Sequence, residues 1–173
     1  MPHPSGPWDS SGTLGQPPSA VELAKWLEQA AIALRRGDLF KAGALYQRIL
    51  DARPNHPEAL DGLAVLQHQR GLLAQAEQLI RRAILCAPVY ASAYTHLGNV
   101  LVSQRRHEEA ITAYRRAIAL KADEVEARVK LGALLEELGR LPEALEAYRG
   151  ASAWRPADAE IHYRLGVLGD NYI

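Results

Sequence analysis

The chain has 173 residues, enough to bury a core, and 48 % are hydrophobic while only 6 % are aromatic, a balance suited to closely packed helices. Lysine plus arginine equal aspartate plus glutamate at 20 each, so no net field favours nucleic acid or an anionic membrane. A single cysteine, Cys86, excludes an intrachain disulfide and a cysteine-rich metal site.

Residues 1–18 hold five of the ten prolines, with Gly6, Gly12 and Gly15. Such a stretch sustains no backbone ladder and is expected to be a disordered tail. Its start, Met1-Pro2-His3-Pro4-Ser5, has neither the basic region nor the apolar run of a secretion signal, and no later run is long enough for a membrane span. The expected location is therefore the cytoplasm. Ser19-Ala20-Val21-Glu22 is a capping-box pattern that opens a helix, and helical signals continue from there to the end.

Alanine recurs at 42, 76, 110 and 144, a step of 34 residues. Tyr46, Ile80, Tyr114 and Tyr148 keep the same step, as do Pro54, Pro88 and Pro156, with Ala122 in the place of the third proline. A fixed period of this size marks stacked copies of one helical hairpin. Counting from Leu23, the units are 23–56, 57–90, 91–124, 125–158 and a partial one at 159–173. Helix A takes roughly positions 1–14 and helix B roughly positions 17–30. Gly37, Gly71 and Gly139 fall at position 15, where a left-handed turn suits glycine; Arg105 stands there in the third unit, whose turn is expected to differ. The prolines at position 32 should stop helix B.

The unit resembles the tetratricopeptide repeat. That pattern asks for a large residue at position 4, leucine at 7, a small residue at 8, alanine at 20, an aromatic at 24, alanine at 27 and proline at 32. Position 4 is Trp26, Leu60 and Tyr94, then departs to Arg128 and His162. Position 8 is Ala30, Ala64, Gly98, Gly132 and Gly166, and position 27 is Ile49, Ala83, Ala117 and Ala151. Small residues at 8, 20 and 27 let helices approach closely, while larger ones fill the gaps. The fold implied is an all-α, right-handed α-solenoid over residues 19–173, the hand coming from the resemblance. The function implied is protein–protein interaction, with a peptide segment of a partner held in a concave groove.

Side chains that suggest chemistry have plainer readings. His68, His96 and His162 lie on different helices without ligand spacing, and His56 and His107 sit at joints, so solvated surface histidine is expected and no metal. Cys86, at position 30, is read as a small buried hydrophobe. No phosphate loop, nucleophile elbow or carboxylate pair is visible, so no catalytic residue and no cofactor are assigned. Arginines recur at positions 25 and 26 (Arg48, Arg81, Arg82, Arg115, Arg116, Arg149) on the outer helix. They make either a basic stripe for an anionic partner or, more plainly, cations that suit a helix end and keep it soluble.

By the resemblance, helix A positions 2, 5, 9, 12 and 13 line the groove. The contacts singled out are Leu27 and Leu34 in the first unit, Asp61 and Val65 in the second, Asn99 in the third, and Val129 and Glu136 in the fourth. The inner face would be apolar at its start, neutral in the middle and acidic toward its end. It suits a segment with an apolar and a basic end, unless the acids merely solubilise the wall. The lysine–asparagine clamp for chaperone carboxylates is missing, since Leu27 and Ala31 occupy its places. Of the asparagine ladder in sugar-transferring enzymes only Asn99 matches.

The last unit stops after helix A. Ile161, Leu165, Val167, Leu168, Tyr172 and Ile173 would leave an apolar face without a second helix. Three readings stay open there: a chain cut from a longer protein, a final helix that caps the stack, or a homodimer through the C-terminal helix. The functional expectation is an adaptor or assembly scaffold that performs no reaction. Its rival is the substrate-recruiting or dimerising part of a larger enzyme, such as a glycosyl- or sulfotransferase.

Overall fold

The computed structural model describes residues 17–170, with side chains to 169; the expected disordered tail up to residue 16 and the terminal Tyr172 and Ile173 lie outside them. All regular structure among the described residues is helical. The order is α1 (Ala20–Arg35), α2 (Leu39–Ala52), α3 (Pro57–Gln69), α4 (Leu73–Cys86), α5 (Ala91–Ser103), α6 (His107–Leu120), α7 (Val125–Glu137), α8 (Leu141–Ser152) and α9 (Ala159–Asp170). The architecture is an all-α solenoid of helical hairpins. The chain divides into two compact units, 1–54 and 55–173.

In the first unit α1 and α2 form one hairpin. Helix α1 begins with the expected capping box: the Ser19 hydroxyl accepts from the Glu22 amide at 3.3 Å, and Glu22 Oε2 accepts from the Ser19 amide at 2.9 Å. Ala30, Ala42 and Ile49 are fully buried, and Arg48 stacks 4.0 Å from the Trp26 ring centroid.

In the second unit hairpins α3–α4, α5–α6 and α7–α8 stack in sequence order, and α9 packs on α8. Helix α3 also meets α5, and α5 meets α7, so the A helices pack on one another along one face. Ala64, Ala76, Ala83, Ala110, Ala117, Ala144 and Ala151 are wholly buried, as the small-residue positions require. Of the glycines at position 8, Gly98 and Gly132 are sterically demanded, while Gly166 has open space around it. A methyl group on Gly98 would run into the Tyr114 ring, and one on Gly132 would lie 2.9 Å from Tyr148 Cε1. In the α3–α4 hairpin the pair is Ala64 with the smaller Ile80.

The expected break in regularity at Arg105 does not occur. Arg105 adopts φ 60°, the left-handed conformation of Gly71 (76°) and Gly139 (72°), and its amide bonds to Val102 as that of Gly71 does to His68. The turn is preserved at the expense of backbone strain. Helix α6 ends at Leu120 although Ala122 stands where proline was expected, its final Lys121 amide donating to Ala117 at 3.0 Å. Proline is thus not what ends that helix.

The departures at position 4 also find a reason. Tyr94 Oη donates to the Pro88 carbonyl at 3.2 Å, Arg128 Nη2 to the Ala122 carbonyl at 3.0 Å, and His162 Nε2 to the Pro156 carbonyl at 2.7 Å. Three different side chains thus make one bond, from position 4 to the carbonyl at position 32 of the preceding unit. Position 26 adapts in turn. Arg116 stacks on Tyr94 at 6.0 Å, whereas Gly150 leaves a hollow in which Arg128 lies, with Nη1 2.8 Å from where a Cβ would be.

At the open end the expected apolar face is largely covered: Ile161 and Leu168 are buried and Leu165 is half-buried, while Val167 is exposed. Helix α9 thus uses most of its apolar side on its own neighbours. Cys86 corrects another expectation, being exposed at the last residue of α4 rather than buried. Position 30 lies at the end of helix B, where Trp154 is likewise exposed.

Candidate partner-binding groove

Helices α3, α5 and α7 bring positions 9 and 12 together on the A-helix face of the second unit. Two clefts lie there and share His68 and Asn99. One, of about 210 Å³, is walled by Ala64, Val65, Ile80 and Val100, with Gln69, His96 and Glu126 as its other polar residues. The other, of about 330 Å³, is formed by Val102, Tyr114, Ala133 and Leu134, with Lys130 and Glu137 beside them. Val65 and Asn99 are thus brought to one surface. Val129 lines a further cleft with Lys130, Arg155 and Glu160. Leu27 and Leu34 are half-buried on α1 of the first unit.

Asn99 is held from behind. Tyr114 Oη donates to Asn99 Oδ1 at 2.8 Å, which directs the amide NH₂ away from the ring as a free donor. Burial pushes the Tyr114 phenol far above its usual range, aided by the charge of Glu126, so this donor stays protonated.

Asp61 is not a groove contact in the expected sense. Its side chain is 4 % exposed, and both carboxylate oxygens are engaged by His96 Nδ1, at 2.8 and 2.9 Å, with Tyr90 Oη donating at 3.1 Å. Thr95, at the same repeat position, is also buried. Position 5 here packs between neighbouring A helices. His96 is accordingly not a solvated histidine: burial works against its proton, but the bond to Asp61 and the charges of Asp61, Glu126 and Glu124 outweigh burial and raise its pKa. Burial, together with the nearby His96, lowers that of His68, whose Nε2 meets Ser103 Oγ at 2.8 Å. The signal sequence reading missed was a carboxylate at position 5 followed by a histidine at position 6 one unit later.

Glu136 is partly spoken for. Tyr148 Oη donates to it at 3.1 Å and Arg164 Nη1 lies 3.3 Å away. Burial, with the Glu136 charge, pushes the Tyr148 phenol up to about 12. The acidity expected toward the groove's end is thereby reduced, leaving Glu126 and Glu137 exposed.

The outer arginines are mostly absorbed by local pairs. Arg81 bonds Glu77 at 2.7 Å, Arg82 bonds Asn55 at 2.9 Å, and Arg115 bonds Glu143 at 2.8 Å. This geometry favours the plainer reading of the stripe. Among the described residues no group of three His, Cys, Asp or Glu side chains is arranged to hold a metal. None of the described helices is long and apolar enough to cross a membrane.

Residues 33–98 match the family described as tetratricopeptide repeat, and residues 98–139 and 136–168 match the TPR repeat model. The chain belongs to the tetratricopeptide repeat family. A search of curated proteins found no match. Among solved structures, a crystal structure of MamA protein is 25 % identical over 88 % of this chain and 83 % of that one, with a TM-score of 0.68. A Thermobaculum terrenum O-GlcNAc transferase mutant is 32 % identical over 75 % of this chain, with a TM-score of 0.70, but only 26 % of that chain is covered. Pseudomonas aeruginosa PilF, at 19 % identity over 84 % of this chain and 67 % of that one, has a TM-score of 0.77 and attests the fold alone.

Proposed function

We propose that the chain is a protein-interaction scaffold whose A-helix face in residues 55–173 holds a segment of a partner protein, without performing a reaction of its own, in the cytoplasm. The observation that carries this reading is the pair of contiguous clefts meeting at Asn99, whose amide is aimed by Tyr114 as a ready donor for a backbone carbonyl. Val65, Val102 and Ala133 supply apolar contact beside it, and Glu126 and Glu137 favour a segment that carries positive charge.

Capture of partners by the intact chain tests this. Val65→Glu combined with Asn99→Ala should abolish capture, while Arg115→Glu on the outer layer should retain it. The reverse pattern would move the binding surface to the outer helices. A second reading makes the chain the recruiting part of a larger enzyme, favoured by the 32 % identity to the O-GlcNAc transferase mutant. A reading frame that continues past Ile173 into an α/β domain would select it.

A further inference from the structure

The smaller of the two clefts deepens that reading and rests on it. Its volume of about 210 Å³ is below the roughly 300–1,000 Å³ typical of small-molecule sites, which suits one long side chain. Its lining is aliphatic, with Ala64, Ile80 and Val100 buried at the back and the half-buried Val65 open to a run of methylene groups. Glu126 is exposed at its edge and forms no ion pair among the described residues. An aliphatic contact at Val65 beside an open carboxylate is complementary to lysine or arginine, not to an acidic side chain.

His96 lines the same cleft and, with His68, is one of two lining groups able to change the balance of charge there near neutrality. Its Nδ1 is committed to the buried Asp61, so Nε2 is the nitrogen left for the cleft. With the ring neutral, Nδ1–H donates to Asp61 and the Nε2 lone pair accepts from an incoming cation. With the ring protonated, Nε2 carries a hydrogen and the ring a positive charge, and a cation is opposed. The groups facing His96 are Asp61 and His68 of α3, Tyr90 at the start of α5, Glu124 ahead of α7 and Glu126 of α7. Glu124 is 3.4 Å from Lys121, and His68 disfavours its own charged form, which leaves Asp61 and Glu126 to dominate.

We propose that the cleft between α3 and α5 takes a lysine or arginine side chain of the partner segment against Glu126, and that His96, positioned by Asp61, expels it on protonation. The coupling is reciprocal, so the bound cation also drives the proton from His96.

Amide NMR spectra of the full chain, titrated with N-acetyl-arginine amide and N-acetyl-lysine amide, test the assignment. The neutral N-acetyl-citrulline amide and the acidic N-acetyl-glutamate amide serve as comparisons. The cationic probes should give saturable shifts at Gln69, Asn99 and Glu126, with affinity rising about fivefold between about pH 6 and pH 8.5, the size of one charge pair in high dielectric. Glu126→Gln should weaken them, and His96→Gln should bind without the pH dependence. Should that variant fail to fold, the native His96 ring signal gives a second readout, its titration midpoint falling when arginine amide is bound. Citrulline binding as well as arginine, no saturable shift, or an unmoved His96 midpoint would each overturn the proposal. If the probes fail while the Val65 and Asn99 changes still abolish partner capture, the cleft assignment falls and the groove stands. If capture survives those changes, the groove itself is wrong.

Discussion

Asp61→Ala removes the carboxylate that holds His96, so its effect belongs to folding before binding. A buried charged acceptor of this kind is worth about 2–3 kcal/mol, which chemical denaturation would measure. His96 has a raised pKa in the folded chain, so the pair stabilises fully below the unfolded value and loses its contribution as pH rises through the folded one. The cost of Asp61→Ala should therefore be larger at low than at high pH. Gly132→Ala pushes a methyl group against the Tyr148 ring and should cost about 1–3 kcal/mol. Adding Tyr148→Ile, which copies the Ala64–Ile80 pair, should return part of that loss. The small-residue positions were legible in the sequence because each recurs at one interval and answers to its own hairpin. Asp61, Cys86 and His96 were not, because their surroundings depend on a neighbouring unit or on where a helix ends.

Helix boundaries followed the period closely, since the turn at position 15 and the packing of helices A and B repeat together. The turn at Arg105 shows the limit of reading breakers residue by residue: its neighbours impose φ 60° on a side chain that disfavours it. Arg105→Gly relieves that strain and should raise stability by about 1 kcal/mol, visible as a higher melting temperature. A second feature of the elements is the clamp between the starts of α4 and α6. Arg106 Nη1 lies 2.9 Å from Glu77, and Gln104 Nε2 also donates to Glu77 at 2.9 Å. Burial works against the Glu77 charge, but the bonds from Gln104, Arg81 and Arg106 prevail and hold its pKa down at about 2. Its contribution is present above the ordinary carboxylate range and is lost as pH falls toward about 2. Glu77→Gln should cost about 1–2 kcal/mol near neutrality and flatten the acid limb of a stability–pH curve.

At the scale of the molecule, stability in 55–173 is carried by neighbours in a row. Helix α9 has its neighbours on one side, so its amides should exchange fastest and those of α5 and α6 slowest, which hydrogen exchange would resolve. The row architecture was plain from the 34-residue interval, whereas the chemistry of the groove came only from contacts between units. The pairing of positions 4 and 26 bears on how such a chain could be recombined. Tyr94 belongs with Arg116, and Arg128 with Gly150, so each match is settled within one hairpin. The bond that crosses between hairpins, from position 4 to position 32, asks only for a carbonyl, which every residue has. A crossover between hairpins would therefore be tolerated, whereas one inside a hairpin would set a tyrosine over an empty hollow or crowd two guanidinium groups together.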